Sequence, residues 1–111
     1  MMRIIIKPGV VLGELNIRLF HVSITVSSVF DEYGVVAVLT SGCEGKHMGT
    51  SLHYKFLAWD FRLRHFPEEH RKAAVDKIRD MLNAKAHDYD VILEKSSETE
   101  WMHVEYDPKP A

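Results

Sequence analysis

The sequence predicts an α+β domain, on three observations. A proline and two acids open a strongly amphipathic segment after residue 66. An earlier segment carries a 3.6-residue apolar period over twenty residues. Short apolar runs with strand-like alternation lie on either side of these, and the later ones are expected to pair antiparallel.

Taken in order, Arg3 to Lys7 reads as a short strand stopped by Pro8-Gly9. From Glu14 to Tyr33, Leu15, Leu19, Val22, Val26 and Val29 recur at spacings of four, three, four and three, the mark of one helical face. Phe20, Val22, Ile24 and Val26 also alternate, and the run is rich in β-branched residues. Length and the sustained period favour a helix, with Gly34 as its stop. Val35 to Thr40 is a buried strand, Ser41 to Lys46 a glycine-containing loop, and Leu57 to Leu63 another strand. Pro67-Glu68-Glu69 opens the clearest helix, its acids at the positive end of the dipole, running to about Ala84. Asp90 to Lys95 forms a strand, Ser96 to Thr99 a turn and Trp101 to Tyr106 a last strand, ended by Asp107-Pro108.

The 111 residues are read as one domain, 1–111, large enough for a core without disulfide staples. A formal charge of −2 with no basic block argues against a nucleic-acid partner. The only cysteine, Cys43, excludes an internal disulfide. No run approaches the ~18 apolar residues of a membrane span, so no membrane insertion is expected. The N-terminal apolar run is too short for an export signal. A monomer made in the cytoplasm is the expectation.

Chemistry concentrates in two clusters, Ser51 to Asp60 and Glu100 to His103. They hold two imidazoles, His53 and His103, and two carboxylates, Asp60 and Glu100. A catalytic zinc site draws on that inventory: three protein ligands, a position for water and a base. His53 and Asp60 are seven apart, which is not a helical spacing. His103 lies in the last strand, and pairing with a neighbouring strand is one way to bring it opposite Asp60, though spacing does not itself make the two meet. Glu105, two residues on, shares its face and is read as either a support for that histidine or an ion-pair partner. For Asp60 the plainer reading is a salt bridge to Arg62 or Arg64.

Ser51-Leu52-His53-Tyr54-Lys55-Phe56-Leu57-Ala58-Trp59-Asp60 resembles the SxHxxGxAxD signature of the zinc D-alanyl-D-alanine carboxypeptidase and dipeptidase family, which includes phage L-alanyl-D-glutamate endolysins. Glu100-Trp101-Met102-His103 is similar to that family's closing motif. The resemblance covers roughly Val35 to Asp107. It implies Zn2+ on His53, Asp60 and His103, Glu100 as catalytic acid/base, and a small antiparallel β-sheet flanked by helices with the zinc site on the sheet.

The activity implied is hydrolysis of a peptide bond in the peptidoglycan stem peptide, of D-Ala-D-Ala or L-Ala-D-Glu type, by a phage-type lysis enzyme acting at the cell wall after release. Lys46, His47 and Ser51 are the candidate substrate-binding residues. Phe56 stands where the signature has glycine, and the loop Cys43 to His47 lacks the arginine many members carry. These departures favour an alternative, a catalytically silent zinc-binding or structural module of the same fold. A zinc hydrolase acting on a non-wall dipeptide or amide is a third reading.

Overall fold

A computed structural model of the chain describes residues 3–12, 17–42, 57–85 and 88–107. Its elements run β1 (Ile4–Ile6), α1 (Ile17–Glu32), β2 (Ala37–Ser41), β3 (Ala58–Arg62), α2 (Arg71–Lys85), β4 (Tyr89–Lys95) and β5 (Glu100–Tyr106). The five strands form one sheet in the order β1-β2-β3-β5-β4. The architecture is a small α+β domain.

α1 settles the ambiguity of its own sequence. Val22 and Val26 are buried whereas Phe20 and Ile24, which alternate with them, are exposed at 55% and 62%. A strand would have put all four on one face. Helical spacing instead carries Leu19, Val22, Val26, Val29 and Phe30 into the core. Gly34 ends the helix at φ +71, a backbone region that costs most side chains strain, and the Val35 N–H donates back to the Phe30 carbonyl at 3.1 Å.

α2 starts through a single 3-10 turn, Glu68–His70, after Pro67. Ala74, Val75, Ile78 and Leu82 form its buried stripe. Its polar edge is docked as well. The Asn83 side-chain amide donates to the Tyr89 carbonyl and accepts from the Tyr89 N–H, both at 3.0 Å, and Arg79 donates to the Val91 carbonyl. The helix is thereby held in one position along β4.

Both helices pack on the same side of the sheet. Phe30 of α1 stacks edge-on with Phe66 just before α2, at 4.9 Å between ring centres, and both join one core with Leu39, Trp59, Phe61, Met102 and Val104. The sheet is mixed rather than wholly antiparallel, a correction to the expectation. β1 and β2 are parallel, Ile4 beside Ala37 and Ile6 beside Leu39, while the other pairs are antiparallel. α1 is the cause: a crossover helix returns the chain to the end of the sheet it left, so the strand that follows runs the same way.

Alternation along β3 and β5 divides the sheet by face. Trp59, Phe61, Met102 and Val104 point to the helices, and Asp60, Arg62, Trp101, His103 and Glu105 point away. Asp60, His103 and Glu105 therefore share the face without helices.

Candidate functional site

In the antiparallel ladder of β3 and β5, Asp60 lies directly opposite His103, with Trp59 opposite Val104 and Phe61 opposite Met102. The apolar neighbours lock this register, because a slip by one residue would turn both polar groups into the core. Residues forty-three apart in the chain thus place His103 Nδ1 2.7 Å from Asp60 Oδ1. The other ring nitrogen, Nε2, is 2.7 Å from Glu105 Oε1.

The three side chains keep only 15%, 18% and 22% of their surface exposed, for His103, Asp60 and Glu105. Burial alone would discharge the imidazole. The hydrogen bonds and charges of Asp60 and Glu105 outweigh it and raise the His103 pKa to about 9. With that proton kept, His103 donates to Asp60 through Nδ1 and to Glu105 through Nε2.

A bulge sharpens this corner. Leu39 pairs with Phe61 but Ser41 pairs with Asp60, so β2 has an extra residue at Thr40. The Thr40 hydroxyl donates to the Asp60 carbonyl at 3.3 Å. An open cleft of about 300 Å³ lies here, with Thr40, Asp60, Trp101 and Glu100 in its lining.

Glu100 is placed differently from His103. Three residues apart on a strand, the two project to opposite faces. Glu100 accepts from Arg71 at the start of α2, at 2.6 Å, and Arg71 also donates to the Phe66 carbonyl. Glu100 reaches the cleft beside Asp60 only at the end of β5. The motif spacing named Glu100 but not this bond to Arg71, which no local pattern announces.

His53, Lys46, His47 and Ser51 lie outside the described residues, as do Phe56 and Cys43. Asp60, read also as a salt-bridge partner of Arg62 or Arg64, makes an ion-pair contact with His103. Glu105 Oε1 lies 2.7 Å from His103 Nε2, a contact that both of its readings, support and ion-pair partner, allow.

A second group, Asp90, Glu105 and Asp107, brings carboxylate oxygens within 4.8 Å of one another at the far edge of the same face. An all-oxygen set suits hard cations and does not distinguish zinc. Sequence patterning gives no sign of it, since Asp90 comes from β4 and meets Glu105 only through strand register.

Known protein families, curated proteins and solved structures return no match to the chain. Among the described residues, no helix is long and apolar enough to cross a membrane.

Proposed function

We propose that the chain is a zinc-dependent peptidase whose substrate is the stem peptide of peptidoglycan, cut at a D-Ala-D-Ala or L-Ala-D-Glu type bond. The observation that carries this reading is the meeting of Asp60 with His103 at 2.7 Å on the sheet face away from the helices. It rests also on the likeness of the two sequence clusters to the zinc carboxypeptidase signature.

The donor types are those that zinc takes. A carboxylate oxygen and an imidazole nitrogen converge, and a second carboxylate holds the other imidazole nitrogen, the arrangement that orients metal-binding histidines. Asp60 and His103 would hold the ion together with His53. A bound zinc supplies polarisation of the scissile carbonyl and a water acidic enough to lose its proton near pH 7. Glu105 fixes the His103 ring through Nε2. Glu100 is the carboxylate assigned to take a proton from the attacking water and return it to the leaving amine. Arg71 holds it at the cleft edge until then.

A specific observation favours a second reading, a non-catalytic domain. Asp60, His103 and Glu105 already bond to one another, one imidazole between two carboxylates, and Glu100 is already paired. Such a cluster stabilises a sheet face without chemistry.

Zinc content and wall digestion separate the two. The peptidase reading requires about one zinc per chain, lost in His103→Gln, and release of new termini from purified peptidoglycan. It also requires Glu100→Gln to keep the metal, keep a hydrogen bond to Arg71 and lose about 100-fold or more of the rate. A zinc-loaded protein that leaves both peptidoglycan and stem peptides intact is the non-catalytic domain.

A further inference from the structure

The cleft beside Asp60 carries an excess of positive charge that the proposed metal chemistry does not use. Lys7, Arg62 and Arg64 all line it. They come from separate places. Arg62 follows Asp60 by two residues on β3 and so shares its face, opposite Trp101. Arg64 lies just past the strand. Lys7 follows β1, where its N–H donates to the Leu39 carbonyl at 3.0 Å and the turn through Pro8 and Gly9, at φ +92, takes the chain away.

Two acids also line the cleft, but each is already matched. Glu100 is held by Arg71 and Asp60 by His103. Among the described residues, no carboxylate lies within ion-pair distance of Lys7, Arg62 or Arg64. Three cations around one concave surface repel one another, and a partly buried arginine left without an anion gives up stabilisation. A negatively charged ligand group supplies what is missing, and an arginine presents the planar fork that a carboxylate fits. The partly buried Trp101 offers the cleft an apolar wall.

We infer that this cleft is a carboxylate-binding subsite, in which Arg62, Lys7 and Arg64 hold an anionic group of the substrate next to the Asp60–His103 pair. The choice of a peptide carboxylate over other anions rests on the peptidase reading. Within a stem peptide that carboxylate has two sources: the C-terminus of D-Ala-D-Ala, or the free α-carboxylate of a D-glutamate linked through its side chain. The same cations serve either.

Two matched pairs of peptides, titrated into the full-length protein by calorimetry, test this and tell the sources apart. One pair is N-acetyl-D-Ala-D-Ala and its C-terminal amide. The other is N-acetyl-L-Ala-D-Glu γ-methylamide with the α-carboxylate free or amidated. In one pair the amide should bind about tenfold more weakly than the acid, the size of one charge-assisted contact. The gap should close in Arg62→Gln and narrow in Lys7→Gln, and it should shrink as salt is raised. The pair that shows the gap names the source.

Equal binding of acid and amide in both pairs overturns the subsite, and that comparison needs no variant to fold. A gap untouched by either substitution, or no binding of any of the four at millimolar concentration, overturns it too. A clear preference for acids in a protein that takes up no zinc and cuts nothing keeps the subsite and removes the peptidase reading.

Discussion

A neutral imidazole carries one N–H, so between Asp60 and Glu105 it would satisfy one carboxylate and present a lone pair to the other. Protonated, it donates to both. This is why His103 holds its proton to about pH 9 despite partial burial. The consequence for stability has a definite sign. A raised pKa means that the folded state binds the proton more tightly than the unfolded chain, where histidine titrates near 6.5. The contribution is complete below about pH 6.5 and is lost as pH rises through about 9. Its size is roughly 3 kcal/mol. Urea unfolding of the metal-free protein from pH 6 to pH 10 should show that decline, and His103→Gln should flatten it. The same proton competes with a metal for the imidazole. Zinc affinity should therefore climb by about tenfold per pH unit over this window, one proton leaving per ion bound. Glu105→Gln weakens the hold on the ring, and competition with a fluorescent chelator should show zinc affinity reduced by about 10- to 100-fold. An unchanged affinity would leave Glu105 outside the site.

Elements are positioned by a few polar clamps as much as by their apolar stripes. Asn83 is the clearest: one side chain satisfies both backbone groups of Tyr89 at the start of β4. Asn83→Ala leaves that donor and acceptor without protein partners and should cost about 2 kcal/mol, read as a lower urea midpoint with an unchanged m-value. Such clamps explain what could and could not be read from the sequence. α2 and strands β3 to β5 follow from period and alternation, because each has one apolar face and one polar one. β1 was visible as a strand, but its parallel partner was not, since pairing depends on where the α1 crossover delivers the chain. At the candidate site, alternation sufficed to align Glu105 with His103, whereas the place of Asp60 opposite it follows from the β3–β5 register, which spacing does not give. The same alternation places Glu100 on the other face of β5, a fact that motif spacing alone conceals. Lys7 could not be connected with Arg62 in advance, because only the order β1-β2-β3 brings their strand ends together.

On the scale of the molecule, the fold separates its duties by face: one side of the sheet is closed by α1 and α2 around the core, and the other gathers charge. The β3–β5 ladder joins Asp60 to His103 on the charged face, so anything that binds across that ladder in the folded state alone must stabilise the whole domain. Zinc on Asp60 and His103 would do so, through residues forty-three apart that the unfolded chain does not bring together. At a free zinc level of 100 times Kd the gain is about 2.7 kcal/mol, which for a domain of this size raises Tm by roughly 10 °C. The effect should be small at pH 6, where His103 keeps its proton against the metal, and larger at pH 8. A chelator should reverse it, and His103→Gln should abolish it at both pH values. Scanning calorimetry with and without zinc at the two pH values is the check. A Tm that zinc leaves unmoved at pH 8 would mean that the two carboxylates are served by the imidazolium alone, and the charged face would then be a structural ion cluster.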